Sequence, residues 1–484
     1  MSIARALGNA ISGLTATARG TEAVAANLAN ASTPGYARRD LVVSAQTAGG
    51  NAGGVRVDGV TRSVNASVLS ESRLAEAARA DAATRLDFAT SIEDAIGITG
   101  NTGSLGSALS DFQTALTSAA SRPDDEIRLA QVVDKATALA TRLNAISDEV
   151  QVARTAADQA IATDVATLNT ALAQVADLNR KIAVLEADGS DPSSLYDQRQ
   201  GIISEIAKIV PVQEVTRAAG AVALFTAEGA VLLDGTTPTE LSFTAAGQVT
   251  ADRTAGSGLS MLSQNGVELT QSQMRLYAGG SLAANFAIRD ELAPEAQNLL
   301  DDLALDLHDR LAAPAVDPTI TAASAGLFTD DGARASAAEK TGLAGRISVN
   351  DAVVESEGGE AWRIRAGLGA STSGAVGDST LLVAMSGALS EASAAATGTA
   401  FSGRATLAAR LASVESQMAT ARVNAQSEAA IRNSQADTIT TRLTADGVDS
   451  DAEMQKLLQY EQAYAANARV IQAIQTMMDQ ILEI

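Results

Sequence analysis

Cysteine is absent from this 484-residue sequence, histidine occurs once, and aromatic residues make up only 3% of it. Without cysteine the chain has no disulfides, no thiolate metal ligands and no cysteine nucleophile. A single histidine leaves few ways to build a catalytic triad or a zinc site. These absences weigh against most hydrolytic and metal-dependent enzymes.

Long apolar runs and positive charge are also scarce. No stretch reaches the roughly 18 consecutive apolar residues expected of a membrane span. Residues 1–14 lack the continuous apolar core and cleavage site of a removable signal peptide. The net charge of −22 repels phosphate backbones and anionic lipid. We therefore expect a soluble chain with neither nucleic acid nor membrane as a partner, and any export to proceed without a cleaved signal.

The most regular feature present is a heptad pattern at each end of the chain. In residues 451–484, largely apolar side chains fill two positions of the heptad: Leu457, Tyr464, Ile471 and Met478 at a, and Tyr460, Asn467, Ile474 and Ile481 at d. A weaker seam in residues 2–30 has Leu7, Leu14, Thr21 and Leu28 at a, and Ile3, Ala10, Thr17 and Val24 at d. Such a stripe needs a covering partner, and we expect the two terminal helices to pair. Glycines in the first helix weaken it but would allow a partner to approach closely.

The interior is a succession of helices interrupted by one β-rich region. Apolar periodicity predicts helices at 64–96, 105–120, 124–188, 194–209, 281–313 and 406–443, with an interruption or kink at Pro294. Alternating or β-branched runs predict strands at 41–45, 55–60, 212–215, 221–226, 231–233, 241–244, 248–251, 266–269, 347–349 and 362–364. The predicted fold is mainly α and elongated, with the terminal helices paired as a coiled coil, a long-helix second domain and a small inserted β domain.

Three domains are predicted from this order. Residues 1–62 and 444–484 form an inner terminal coiled-coil domain. Residues 63–211 and 279–443 form a helical body domain, with a mixed glycine-rich segment near 315–400. Residues 212–278 form an inserted outer β domain.

Candidate chemical sites are weak. His308 lies between Asp306 and Asp309 on a predicted helix, which is too small a set to hold a metal ion well. The acidic group of residues 446–453 does not follow the spacing of a calcium loop, and a helix N-terminus capped by Asp449 or Ser450 is favoured. We predict no catalytic residue, cofactor or metal, and so no enzyme.

Two terminal motifs resemble those of bacterial flagellar axial proteins. Residues 26–39 read ANLANASTPGYARR, and residues 457–482 read LLQYEQAYAANARVIQAIQTMMDQIL. The second motif, together with LYDQRQGIISEIAKIVPVQ at 195–213 and the segment at 279–311, is most similar to the hook-associated protein 1 (FlgK) family. The residues that carry the terminal motifs and the seam are the predicted assembly site: Asn27, Leu28, Asn30, Thr33, Pro34, Gly35, Tyr36, Leu457, Tyr460, Tyr464, Asn467, Ile471, Ile474, Met478 and Ile481.

The resemblance implies a structural protein that joins the flagellar hook to the filament. It implies assembly with copies of itself, in a ring or helical layer, through the terminal helices. Implied partners are the hook protein, a second hook-associated junction protein and an export chaperone that binds the C-terminal region. Secretion by the flagellar type III apparatus and an extracellular location are also implied. A secreted adhesin that binds surfaces through the β insertion is the alternative.

Overall fold

The computed structural model describes residues 3–33, 35–48, 51–98 and 100–482. The chain begins with helix α1 (Ile3–Ala29), followed by strands β1 (Arg38–Ala48) and β2 (Asn51–Ser63). The two strands form an antiparallel hairpin that lies against α1. Both strands are longer than predicted and extend the hairpin well beyond its apolar residues.

Four helices follow, and the third of them is the longest element. They are α2 (Ala66–Ile96), α3 (Leu105–Ser121), α4 (Glu126–Ala187) and α5 (Ser193–Ile209). At 1.5 Å per residue, the 62 residues of α4 span about 93 Å. The Asp125 side chain caps its first turn by accepting bonds from the N–H groups of Ile127 and Arg128. Gly189, with φ +70, ends it in the left-handed conformation.

The predicted β region consists of short strands that pack on α4. They are β3 (Val212–Thr216), β4 (Val222–Thr226), β5 (Val231–Asp234), β6 (Thr237–Pro238), β7 (Leu241–Ser242), β8 (Thr254–Ala255), β9 (Gly258–Leu259), β10 (Ser263–Gln264) and β11 (Val267–Glu268). Strands β3 to β6 form an antiparallel meander. The strand predicted at 248–251 is wrong: the N–H of Val249 bonds to the Thr155 side chain on α4, so this segment is a loop held by the helix.

The next helical stretch contains the predicted interruption. Helix α6 (Gln271–Met274), a 3₁₀ turn (Arg275–Tyr277) and α7 (Gly280–Ala287) lead into a π-helical turn (Ile288–Leu292) and then α8 (Ala293–Leu311). The π turn precedes Pro294, which lies in the first turn of α8 and has no N–H to donate back to that turn.

Arg289 in the π turn joins three parts of the fold. Its side chain is fully buried, and Nη1 donates to Asp158 of α4 at 2.7 Å. Nη2 donates to the carbonyl of Ser260 in the β region at 3.0 Å. The guanidinium also lies about 5 Å from the ring of Phe286. The π turn thereby positions the Arg289 guanidinium so that it bonds to both α4 and the β region.

Residues 312–406 form a mixed segment of short elements. They are β12 (Phe328–Asp330), α9 (Leu343–Arg346), β13 (Ile347–Val349), 3₁₀ turns at Asp351–Val353 and Glu355–Glu357, α10 (Arg363–Ala366), α11 (Thr380–Ser390), β14 (Ser393–Ala394) and β15 (Arg404–Ala405). The strand predicted at 362–364 is wrong, because this stretch enters α10. Three residues are too few to separate the two periodicities.

Two long helices complete the described chain, α12 (Leu407–Ala445) and α13 (Ser450–Leu482). Helix α12 runs antiparallel to α2, with ionic contacts from Arg442 to Glu71 at 3.6 Å and from Arg79 to Asp437 at 3.8 Å. Helix α13 packs on α1. The two antiparallel pairs therefore continue one into the other, and the mainly α, elongated fold is confirmed.

Two apolar cores stabilise the interior. One gathers α3, the first half of α4, α8, α11 and the start of α12. The other is shared by the second half of α4, by α5 and α7 and by the strands from β3 onward. Since the β region shares its core with helices, the domain boundaries remain a prediction. Among the described residues, no helix is long and apolar enough to cross a membrane.

Candidate assembly interface at the chain ends

Helices α1 and α13 fit together through two glycines of α1. A Cβ built on Gly20 would lie 2.5 Å from the ring of Tyr460, and one on Gly13 would lie 2.7 Å from the amide of Asn467. The ring and the amide therefore occupy space that a side chain on α1 would fill. Each step of seven along α1 is matched by a step of seven back along α13, which is an antiparallel heptad register.

One heptad further along, Asn27 of α1 meets Glu453 of α13. Asn27 is fully buried, and its Nδ2 donates to Glu453 Oε2 and to the carbonyl of Arg39, both at 2.9 Å. Its Oδ1 accepts from the N–H of Arg39 at 2.8 Å and from the hydroxyl of Tyr36 at 2.9 Å. The amide thus has both hydrogens and both lone pairs satisfied. One side chain joins the first helix, the hairpin and the last helix.

A lysine completes the charge balance around the buried Glu453. Lys456 donates to Glu453 Oε1 at 2.8 Å and to Asp40 of the hairpin at 3.1 Å. The hydrogen bond to Glu453 is the main reason that the pKa of Lys456 is raised, and Asp40 adds to it. Burial raises the pKa of Asp40, but Lys456 and Arg38 outweigh it and hold that pKa below its usual value. Burial also raises the pKa of Tyr36, against the charge of Arg39.

The rest of the N-terminal motif shapes the chain reversal after α1. Asn30 Nδ2 donates to the carbonyl of Ala26, and Thr33 is exposed. The N–H of Tyr36 donates to the carbonyl of Thr33 at 3.2 Å, and Gly35 has φ +80, where glycine is favoured. Pro34 lies outside the described residues. The turn brings Tyr36 and Arg39 back onto Asn27.

The buried face of α1 is rotated from the one predicted. Ala10, Thr17 and Val24 are buried at the predicted d position, but Leu28 at a is 37% exposed. The other buried positions are Ala16, Gly20, Ala23 and Asn27. The reason is steric, since the side chains of Tyr460 and Asn467 need a face of small residues.

Apolar side chains flank the seam on α13 and stay exposed. Of the predicted residues, Ile474 is buried, Leu457 and Ile471 are partly buried, and Tyr464, Met478 and Ile481 are 51%, 42% and 59% exposed. Val470 and Met477 are 45% and 46% exposed. We call Tyr464, Val470, Met477, Met478 and Ile481 the C-terminal apolar strip. The α1–α13 pair leaves this strip without cover.

Sequence reasoning did not single out Glu453, Lys456 or Asp40 as parts of this site. One signal was available for Glu453, because counting back seven from Tyr460 puts a carboxylate at a d position. A charge in a seam needs a buried partner. Nothing in the local sequence marks Asp40, since its neighbour lies on the last helix.

The histidine considered as a ligand has ordinary structural contacts. His308 is fully buried, its Nε2 accepts from the N–H of Ala335 at 3.2 Å, and its Nδ1 lies 3.1 Å from Asp309. Within the described part of the chain, no group of three or more His, Asp or Glu side chains is arranged to hold a metal ion. Asp449 accepts from the N–H groups of Asp451 and Ala452, which confirms the helix-cap interpretation of the acidic group.

Comparison with known protein families finds three matches along the chain. Residues 89–313 match the family described as the flagellar hook-associated protein FlgK helical domain. Residues 7–36 match flagella basal body rod proteins, and residues 441–484 match the C-terminal family of flagellar basal body rod FlgEFG proteins. The two terminal matches contain α1 and α13 almost entirely.

Two curated relatives and one solved structure are similar to parts of the chain. Flagellar hook-associated protein 1 of Salmonella typhimurium is 28% identical over 312 residues, covering 63% of this chain and 55% of the relative. That of Bacillus subtilis is 28% identical over 220 residues, or 43% of each chain. The chain thus aligns with about half the length of these relatives. A solved structure of the flagellar hook junction protein FlgK from Burkholderia pseudomallei is 20% identical, with a TM-score of 0.45 over 54% of this chain and 46% of that chain.

The FlgK helical-domain match in the interior, the rod-protein matches at both ends and the curated relatives agree. The interior of the chain is thus similar to the FlgK family of hook-associated proteins and both ends to flagellar rod proteins, which supports a structural role in the bacterial flagellum.

Proposed function

We propose that the chain joins the flagellar hook to the filament, and that copies assemble side by side through their terminal helices without catalysing a reaction. The main support for this proposal is the exposed C-terminal apolar strip, which lies beside an α1–α13 seam whose contacts are already made within one chain. The seam is satisfied within one chain, so the strip is free to pack against another copy. Clustered, exposed, large apolar side chains are typical of an interaction site.

The charge distribution supports contacts between these ends. Residues 1–63 and 450–484 contain eight basic and eight acidic side chains, so the net charge of −22 falls entirely on residues 64–449. Identical neutral ends can approach closely, whereas identical acidic bodies repel each other. Close packing of copies at the ends is therefore less costly than close packing of the bodies.

The wider partners follow from the family. We propose the hook protein and a second junction protein as neighbours along the axis, an export chaperone on the C-terminal region before secretion, and an extracellular location. The predicted domain division, with residues 1–62 and 444–484 innermost and 212–278 outermost, belongs to this proposal. No comparison favours the surface-binding alternative.

The test is a double substitution in the strip, Val470→Glu with Met477→Glu, expressed in a strain that lacks the native protein. The matched control is Val152→Glu with Val184→Glu, because both valines are 60% exposed and lie on α4. We expect the strip variant to fold and to be exported into the medium, but to be lost from purified hook–filament preparations, with loss of swimming. The control should assemble and swim. Normal incorporation of the strip variant would show that the strip is not the interface.

A truncation provides a second, coarser test. Removing residues 457–484 should abolish incorporation while the body retains its helical circular dichroism. A lysis assay on murein tests for muralytic activity. Clearing of murein by the pure protein would contradict the proposal that the protein catalyses no reaction.

A further inference from the structure

Two segments that stand far apart in the sequence meet at the junction between the terminal unit and the body. We define the terminal unit as α1, the β1–β2 hairpin and α13, and the body as the remaining elements. The turn after α1 reaches helix α5, where a Cβ on Gly35 would lie 3.7 Å from the backbone of Asp197 and of Gly201. The N-terminal motif and the LYDQRQ segment thus touch through their backbones.

Asp197 is the centre of this contact. Its Oδ1 accepts from Arg62 Nε at 2.9 Å, from Arg62 Nη2 at 2.6 Å and from the N–H of Ala37 at 3.3 Å. Its Oδ2 accepts from Arg39 Nη2 at 3.3 Å. The side chains of Asp197 and Arg62 are each 14% exposed, so this ion pair is shielded much more than a surface pair. We call these four residues the Asp197 clamp.

The hairpin register explains why a carboxylate is needed here. Arg39 and Arg62 are direct partners across β1 and β2. Like charges opposite each other destabilise an antiparallel pair. Asp197 supplies the negative charge between them, but it comes from the body. The hairpin therefore has lower electrostatic energy when it is docked on α5 than when it swings away.

The clamp is anchored firmly in the body. The ring of Tyr196 lies between two guanidinium groups, 5.4 Å from that of Arg62 and 5.0 Å from that of Arg199. Arg199 in turn donates to Asn179 of α4 at 2.8 Å and to the carbonyl of Gly220 at 2.7 Å. These contacts connect the hairpin to α4 through the side chains of α5.

The clamp also removes a rotation that the covalent connections leave free. The chain passes between the terminal unit and the body twice, before α2 and after α12. These crossings are held together by Asn65 Nδ2, which donates to Asp446 Oδ2 at 3.1 Å. Two adjacent crossings define an axis of rotation. The clamp is a third contact, on a different helix, and so fixes the angle about that axis.

We propose that Asp197 is a positioning residue that sets the angle between the terminal unit and the body, and that entry into the flagellar axis requires this angle. The second half of the proposal rests on the function proposed above. The first half concerns the isolated chain alone.

The first experiment measures the angle in the isolated full-length protein. Because the chain has no cysteine, spin labels can be placed at Ala18→Cys on α1 and Val184→Cys on α4, both exposed. Pulsed electron paramagnetic resonance should give one narrow distance distribution in the parent and a broad one in Asp197→Asn. Asp177→Asn, on an exposed pair of α4, should stay narrow. A narrow distribution in Asp197→Asn would overturn the proposal.

A double variant separates positioning from simple stability. Asp197→Asn combined with Arg39→Gln removes the repulsion across the hairpin without restoring the clamp. We expect the hairpin to recover its hydrogen-exchange protection while the distance distribution remains broad. Recovery of a narrow distribution would mean that Asp197 acts only by stabilising the hairpin. Asp197→Glu, which keeps the charge, should restore much of the narrow distribution.

The second experiment asks whether the angle matters for assembly. Asp197→Asn should be exported but lost from hook–filament preparations, and Asp177→Asn should be incorporated. Normal incorporation of a variant with a broad distribution would overturn the requirement for a fixed angle. If the strip variant and Asp197→Asn were both incorporated normally, the proposed function would fail, yet a broad distribution would still establish the clamp.

Discussion

The amide of Asn27 and the carboxylate of Glu453 lie 2.9 Å apart although 426 positions separate them in the chain. Both side chains are buried, and each has every close partner supplied by the chain ends or the hairpin. This contact identifies what the terminal motifs do within one subunit. They recognise each other and fix how the two ends pair.

Replacing Asn27 should loosen the terminal unit selectively. Asn27→Ala removes the hydrogen-bond partner of Glu453 Oε2, of the Tyr36 hydroxyl and of the Arg39 backbone groups, at about 1–3 kcal/mol for each group that remains buried. We expect hydrogen exchange to accelerate in α1 and α13 but not in α4. Asn30→Ala is the control, because the Asn30 side chain bonds locally, donating to the Ala26 carbonyl and accepting from the Thr33 hydroxyl. Equal effects of the two substitutions would contradict the role given to Asn27.

The glycines of α1 should respond in opposite directions to the same substitution. Gly20→Ala would force the Cβ into the Tyr460 ring, and we expect a loss of about 1–3 kcal/mol from overpacking. Gly8→Ala meets nothing within 4 Å and should stabilise α1 by about 0.5–1 kcal/mol through helix propensity. Thermal unfolding followed by circular dichroism checks both. Stabilisation by Gly20→Ala would mean that Tyr460 does not occupy this space.

The contact between Lys456 and Asp40 predicts a dependence of stability on pH at both extremes. The folded pKa of Asp40 is below its ordinary 3.8, so its contribution is complete above that value and is lost as pH falls through the folded pKa. The folded pKa of Lys456 is above its ordinary 10.5, so its contribution is complete below that value and is lost as pH rises through the folded pKa.

The measurement is the urea midpoint of the parent and of Lys456→Met across both limbs. The difference between the two proteins should be constant from about pH 5 to pH 10 and shrink outside that range, because only the parent loses the contact there. A difference that did not change with pH would show that Lys456 acts through packing alone.

The buried pair of Arg289 and Asp158 should matter more than any exposed pair of the body. Their side chains are 0% and 1% exposed. Arg289 keeps a second carboxylate partner in Asp290, but Asp158→Ala leaves Arg289 Nη1 and the N–H of Ala246 without their acceptor, at about 1–3 kcal/mol for each. Asp158→Ala should therefore destabilise the body strongly in urea. Lys181→Ala breaks a pair that is 60% and 44% exposed and should cost less than about 1 kcal/mol. A small destabilisation by Asp158→Ala would indicate that water replaces the carboxylate.

Much of this architecture could be predicted from periodicity. The bounds of α2, α4, α5 and α12 lie within a few residues of the predicted ones, because each has a long apolar stripe and a capping signal at one end. The short elements were harder. The segment 362–364 offers too few residues to reveal a period, and 248–251 is drawn out of a sheet by a side chain of α4.

The candidate site shows the same limit. The pairing of the terminal helices follows from their two stripes, but the rotation that exposes Leu28 depends on the size of Tyr460 and Asn467 across the seam. Asp197 gave no local signal at all, since its partners come from a hairpin more than a hundred positions away. Contacts of this kind depend on tertiary proximity, which a single sequence does not contain.

The heptad spacing of the seam affects how the register between α1 and α13 is fixed. If α13 slid by one heptad, Gly13 would face Tyr460 and the small-residue fit would survive there, so the glycines alone tolerate the slip. Asn27 would then face the break before α13, and the hydrogen bond between its buried amide and the buried Glu453 carboxylate would be lost. The hydrogen-bonded pair of Asn27 and Glu453 therefore fixes the register that the glycines leave open. An insertion of seven residues between Glu453 and Tyr460 would preserve the helical stripe, yet it would leave no alignment that satisfies both the glycines and Asn27.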